Sequence, residues 1–215
     1  MSVSWPRRCW HESIASTHEM SDISRNITVI SKNCTFPVWM SESISTSQLR
    51  KVLRDNGFEI VLEQLAMYKD MENYPLGTCS DLELVRAKSQ KDIEVWTNTA
   101  AISFGYEIDI SVIRKIALNP DVQLVLAHIK HYPAATAMLF KTGSILGIHQ
   151  VGVLPEYRGK GIARKLMQDV MNQCSQLAVR YITLQASAAG KSLYQSLGFK
   201  PQFKIHSYQR AINNI

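Results

Sequence analysis

Three apolar, strand-like runs follow one another at residues 122–129 (VQLVLAHI), 134–140 (AATAMLF) and 144–153 (SILGIHQVGV). Only "KHYP" and "KTG" join them. Connections that short make antiparallel hairpins and leave no room for a crossover helix between the strands. The third run passes through a Pro155-led turn into a helix expected at about 161–174. Ile162, Leu166, Val170 and Cys174 recur there every four residues, and Ala163, Met167 and Met171 widen the same stripe. Arg164, Lys165, Gln168, Asp169 and Asn172 on the other side read as a solvated face. A strand at 181–186, a short helix in "AGKSLYQSLGF" and a last strand in "KPQFKIHSYQ" complete an α/β (α+β) pattern.

Upstream, residues 82–87 read as a strand, and Ser89-x-x-Asp92 is a capping box opening a helix that carries Ile93, Trp96, Ala100 and Phe104 on one face. Asp109 caps a shorter helix with Ile113 and Ile116, stopped by Asn119-Pro120. Residues 26–30 and 36–40 read as short strands, 45–58 as a helix stopped at Asn56-Gly57, and 58–67 as a further strand. A turn follows at 73–81. The segments 49–68 and 190–208 echo one another: each reads helix, Gly-Phe, strand, and aligning Gly57 with Gly198 sets Leu53 against Tyr194. The expected organisation is a loosely ordered, Ser-rich lead-in at 1–25, a partial N-terminal lobe at 26–80 (a degenerate half-copy is one reading of it) and a main domain at 81–210.

Composition narrows the function classes. With 46% hydrophobic and 20% charged residues, the 215-residue chain has the makings of a packed core. No apolar run approaches the roughly 18 residues of a membrane span, and the first residues lack the apolar centre of a secretory signal. The four cysteines (Cys9, Cys34, Cys79, Cys174) show neither CxxC spacing nor a nearby histidine, so no metal is expected and a reducing cytoplasm is the expected compartment. A net charge of +6 suits any polyanion, but the cations are dispersed, so neither nucleic acid nor a membrane is an expected partner.

The chemistry-bearing stretch is "VGVLPEYRGKGIARKL" at 151–166. A strand ends at Val153, and a helix starts near Lys160 or Gly161. Its first N–H groups have no intrahelical partner, and Gly159 and Gly161 present no side chain to keep an anion away. Arg158 and Lys160 add positive charge. Neither a Walker A sequence nor a complete GxGxxG is present, so the stretch reads as a phosphate or pyrophosphate site of another kind.

Arg158-x-x-Gly161-x-Ala163, within "VGVLPEYRGKGIA", resembles motif A of the GCN5-related N-acetyltransferases (GNAT), and the downstream "LYQSLGF" resembles their motif B. The resemblance covers residues 82 to 208. It implies a mixed, mostly antiparallel central sheet flanked by helices, with residues 1–80 similar to a partial N-terminal lobe. It also implies acetyl-CoA, or another acyl derivative of coenzyme A, as cofactor. Backbone amides from Arg158, Gly159, Lys160, Gly161, Ile162 and Ala163 would hold the pyrophosphate. Val151 and Val153 would bind the pantetheine arm like an added strand, and an amide near Val151 would stabilise the oxyanion. Tyr194 stands where motif B carries its general acid.

The general base is less directly marked, because the strand before motif A has no carboxylate. It has His149, a base or a water anchor in this reading, which strict alternation sets on one face with Gly147, Val151 and Val153. Glu107, between the first two helices of the main domain, would meet a cationic substrate. Family members often carry an asparagine beyond the following strand. Here Ser187 takes that place, as a helix cap that also serves part of the cofactor contact. The implied reaction is direct acyl transfer to a primary amine on a small molecule, peptide or protein, in a ternary complex. The alternative is a catalytically silent acyl-CoA-binding module. Monomer and homodimer are both open.

Overall fold

The structure is a computed structural model and describes residues 34–40, 44–75, 77–78, 80–174 and 178–210. The lead-in at 1–25, the strand expected at 26–30, and Cys9 and Cys79 lie outside them. The elements in chain order are β1 (Phe36–Trp39), α1 (Ile44–Asp55), β2 (Phe58–Asp70), β3 (Glu83–Arg86), α2 (Gln90–Phe104), α3 (Ile110–Ala117), β4 (Val122–Ile129), β5 (Tyr132–Thr142), β6 (Ile145–Val153), a 3-10 turn (Pro155–Tyr157), α4 (Ile162–Cys174), β7 (Tyr181–Ala186), α5 (Lys191–Ser196) and β8 (Lys200–Arg210).

The chain forms two compact units, and β2 contributes to both. The larger takes in residues 67–185 and 192–200, with strand order β2-β7-β6-β5-β4-β3. Strands β3 to β6 pair antiparallel and β6 pairs with β7 in parallel, giving the mixed, mostly antiparallel sheet flanked by helices. The β4–β5 connection is tighter than "KHYP" suggests. Ile129 already pairs with Tyr132, and Lys130 and His131 make the whole turn at φ 49° and 68°. Positive φ at both central residues is the type I′ geometry, whose twist suits a two-residue hairpin.

Helix α2 starts as its sequence dictates. Ser89 Oγ accepts the Asp92 N–H at 3.1 Å, and the Asp92 carboxylate accepts the Ser89 N–H, also at 3.1 Å. The helix ends on Gly105 at φ 72°. Trp96 is wholly buried, and its indole N–H donates to the carbonyls of Val125 and Ala137, fastening α2 to β4 and β5. Asp109 caps α3 by accepting the Ser111 N–H at 2.8 Å.

The polar side of α4 is only in part the solvated face expected from its composition: Arg164 and Gln168 are exposed. Asp169 and Asn172 are buried there. Asp169 accepts from the backbone and hydroxyl of Ser80, and Asn172 exchanges hydrogen bonds with both backbone groups of Gly77. Lys165 pairs with Asp81 at 2.6 Å. Gly77, Ser80 and Asp81 therefore lie along α4. A helical wheel counts polarity but not the partners a distant loop brings, and paired polar groups are tolerated in burial.

In the smaller unit the strand order is β1-β8-β2, with Phe36 opposite Tyr208 and Val38 opposite His206. Its core is Cys34, Phe36, Val38, Leu49, Leu53, Phe58 and Tyr208, the apolar face of α1 laid on the strands. His206 contacts the Glu63 carboxylate at 2.9 Å, and Lys204 does so at 3.0 Å.

Candidate active site

Strand β6 pairs with β7 only from Ile145 opposite Tyr181 to Ile148 opposite Leu184, yet it runs on to Val153. Beyond Ile148 the two parallel strands part. On its other side β6 is bulged: His149 pairs with Met138 and Gly152 with Thr136, so Gln150 and Val151 stand opposite Ala137 alone. Gln150 takes φ 51°, a left-handed conformation that side chains rarely adopt.

The bulge corrects the expected alternation. Directly paired residues share a face, so Gly147 (opposite Phe140), His149 (opposite Met138) and Gly152 (opposite Thr136) lie together. Val153, opposite Ala135, lies on the other face with Ile148. One extra residue reverses every side chain beyond it. Two glycines on the His149 face have steric reasons. A Cβ on Gly147 would stand 2.7 Å from His149 Nε2, and a Cβ on Gly152 would stand 2.7 Å from Ser103 Cβ and 3.1 Å from the Phe104 ring. The first lets the imidazole lie over the strand, and the second lets the last turn of α2 approach it.

The chain then turns through Pro155–Tyr157 to the two glycines. Gly159 and Gly161 have φ 72° and 75°, and a Cβ at either would meet nothing within 4 Å. Both are therefore needed for backbone conformation, and open space lies beside them. The Gly161 carbonyl accepts the Lys165 N–H at 3.0 Å, which makes Gly161 the residue that starts α4. Having no side chain, it cannot cap the first-turn N–H groups of Ile162, Ala163 and Arg164, which stay available to an anion. A cleft of about 250 Å³ opens here, lined by Val153, Tyr157, Arg158, Gly159, Gly161, Ile162, Ala163, Arg164 and Leu193.

The two cations of the loop do different work. Arg158 turns back: its Nε donates to the Val153 carbonyl at 3.1 Å and its Nη2 to the Ser103 carbonyl at 2.8 Å. It thus ties the loop to the end of β6 and satisfies a carbonyl in the last turn of α2. Lys160 is exposed and reaches over the Tyr157 ring, 5.7 Å from its centroid. Arg164, assigned by its helical position to a solvated face, is exposed as expected, and it also lines the cleft and donates to Ser196 Oγ at 2.7 Å.

Tyr194, on α5, is buried with its ring edge-on to Phe199 at 5.9 Å, and burial pushes its phenol up to about 12. Its neighbour Leu193 reaches the cleft. Lys69 donates to the Leu197 carbonyl at 2.7 Å and so holds the chain just past α5. Ser187 accepts the Gly190 N–H at 3.3 Å, closing the turn that leads into α5. Glu107 is exposed in the loop between α2 and α3, His131 pairs with Glu83 at the surface, and His128 is half-buried. Cys174 is buried, and burial pushes its thiol up to about 12, so it is protonated at neutral pH. Among the described residues no cluster of three His, Cys, Asp or Glu side chains is placed to hold a metal.

A strand bulged and splayed beside an uncapped, glycine-started helix agrees with the sequence comparison, in which residues 87–210 match the family model described as an acetyltransferase (GNAT) domain. The chain belongs to the GNAT family. Its solved neighbours carry the same fold. A GCN5-related N-acetyltransferase from Kribbella flavida superposes with TM-score 0.71 at 16% identity, over 97% of this chain and 82% of that one. A second, from Sphaerobacter thermophilus, gives 0.63 at 17% identity, over 86% of this chain and 63% of that one. The ribosomal-protein-S18-alanine N-acetyltransferase of Escherichia coli gives 0.51 at 14% identity, over 62% of this chain and 98% of that one. No curated protein matches the sequence significantly. Among the described residues no helix is long and apolar enough to cross a membrane. The GNAT signal in the sequence lay in Arg158, Gly161, Ala163 and Tyr194. The cleft positions of Tyr157, Arg164 and Leu193 had no signal beyond their nearness to those motifs.

Proposed function

We propose that the protein is an acyl-CoA-dependent N-acyltransferase, with acetyl-CoA the best-fitting donor, acting on a primary amine by direct transfer in a ternary complex. One observation carries the reading: Gly159 and Gly161 sit at positive φ beside open space and leave the first N–H groups of α4 uncapped, next to the parted end of β6. The amides from Gly159 to Ala163 would hold the pyrophosphate; the Arg158 amide expected to join them donates to the Pro155 carbonyl at 3.2 Å instead. The backbone of Val151 and Val153 would pair with the pantetheine arm along an edge that β7 has left. The bound cofactor supplies the activated acyl thioester.

The residues around it divide the remaining work. The Val151 N–H would donate to the acyl carbonyl oxygen as charge develops on it. Tyr194 keeps its proton at neutral pH and would serve the departing sulfur as general acid. With its phenol near 12 and an ordinary thiol near roughly 8.5, full transfer is uphill, so a hydrogen bond to the developing thiolate is the larger part of that role. His149 is the base or water anchor for the ammonium proton, and Glu107 would attract a cationic acceptor.

The test is thiol release from acetyl-CoA over a panel of small amines, amino acids and peptides, alongside cofactor binding by calorimetry. Gly161→Glu is expected to abolish acetyl-CoA binding, because a carboxylate would face the pyrophosphate where only open space now lies. Unchanged affinity in that variant would overturn the phosphate assignment. Tight binding with no turnover on any acceptor would instead favour a silent acyl-CoA-binding module.

A further inference from the structure

Thr136 on β5 is wholly buried, a costly position for a hydroxyl unless it is hydrogen bonded. Its Oγ1 donates to the Gln150 carbonyl at 3.0 Å. Gln150 is the first residue of the β6 bulge and has φ 51°, a conformation that needs outside support in a residue with a side chain. The bulge frees Gln150 and Val151 from one-to-one pairing, since both lie opposite Ala137. Ladder pairing therefore does not settle how the peptide between them is turned. The Thr136 hydroxyl does.

A planar trans peptide holds its C=O and the following N–H pointing in opposite directions. Once the Gln150 carbonyl is drawn back to Thr136 on β5, the Val151 N–H is aimed away from β5. On that side β6 has already parted from β7, whose pairing ended at Ile148 opposite Leu184. We infer that Thr136 is a positioning residue, whose hydroxyl holds the Gln150–Val151 peptide so that the Val151 N–H points at the acyl carbonyl. The inference rests on the acyl-CoA reading above. Thr136 need not touch the substrate. It decides which end of a peptide dipole the substrate meets.

Thr136→Val keeps the shape and removes the donor, and Thr136→Ser keeps the donor. Thr136→Ala adds no bulk and carries the same expectation as valine, should valine fold poorly. The first measurement is the infrared carbonyl band of acetyl-CoA labelled with carbon-13 at the acyl carbonyl, free and bound. The wild-type band should move to lower frequency on binding, the valine or alanine variant should lose most of that movement, and serine should restore it. The second is the split between kcat and KM. Without the hydroxyl, kcat should fall by roughly tenfold to a hundredfold with the KM for acetyl-CoA and the thermal midpoint little changed. A valine or alanine variant with the full wild-type band movement would sink this inference alone. Failure of the wild-type protein to bind acetyl-CoA would remove the functional reading and this inference together.

Discussion

Helices α1 and α5 end in the same way. The Asn56 N–H is shared between the carbonyls of Val52 and Leu53 at 3.1 and 3.2 Å, and the Leu197 N–H between those of Leu193 and Tyr194 at 3.1 Å each. Gly57 then donates to Arg54 and Gly198 to Gln195, both at 2.9 Å, with φ 75° and 82°. A buried phenylalanine follows in each case, Phe58 or Phe199, and then a long strand. A left-handed glycine imposes this ending on many helices, so the shared plan by itself indicates no shared chemistry. The difference lies one turn back. Leu53 is sealed in an apolar cluster, whereas the matching Tyr194 is a buried phenol whose proton burial holds on. One backbone device serves packing in one place and, in the proposed reaction, would present an acid in the other.

The sharpest way to break the comparison is to exchange what the two positions supply. Tyr194→Phe should lower kcat by roughly a hundredfold and leave the thermal midpoint almost unmoved, since only a hydroxyl is lost. Leu53→Ala should do the reverse, costing about 2–5 kcal/mol in urea unfolding with kcat per folded molecule retained. A Tyr194→Phe enzyme with wild-type turnover would make the two positions equivalent after all.

The glycines give a smaller contrast. Gly57→Ala meets open space and should cost about 1–2 kcal/mol, the strain of a left-handed alanine, without affecting turnover. Gly198→Ala carries the same strain, and its Cβ would also stand 2.8 Å from Lys69 Nζ. That displaces the lysine from the Leu197 carbonyl, so this variant should be the less stable of the two and should turn over several times more slowly. Equal losses in both measurements would show that Lys69 does not set the position of α5.

The smallest effect lies in pH. A phenol that ionises near 10 when unfolded and about 12 when folded contributes its full stability below pH 10 and loses it as pH rises toward 12. Between pH 9 and 11 the wild-type protein should lose about 1 kcal/mol more than Tyr194→Phe in urea unfolding. Parallel curves for the two proteins would show that the hydroxyl is not desolvated. In the same range kcat should show no fall attributable to Tyr194 ionisation.

Much of this was legible in local sequence. Ser89 and Asp92, Asp109, Gly57 and Gly198 act through backbone within a turn of themselves, so their caps and stops could be read directly. The strands β4 to β7 and the helix after Gly161 were legible from apolar spacing and short loops, and the paired motifs around Gly161 and Tyr194 gave the family. Three features were decided only by tertiary structure. The bulge at Gln150–Val151 reverses the faces beyond His149, and nothing in "GIHQVGV" announces it, because a bulge depends on what the neighbouring strand offers. Asp169 and Asn172 are buried because Ser80 and Gly77, about ninety residues away in sequence, bring partners to them. Arg158 is a latch because Ser103 and Val153 present carbonyls within its reach. Caps, turns and periodic faces depend on neighbours along the chain and are written in it. The direction of a peptide, the burial of a carboxylate and the duty of a cation depend on neighbours in space, and these exist only once the strands have paired.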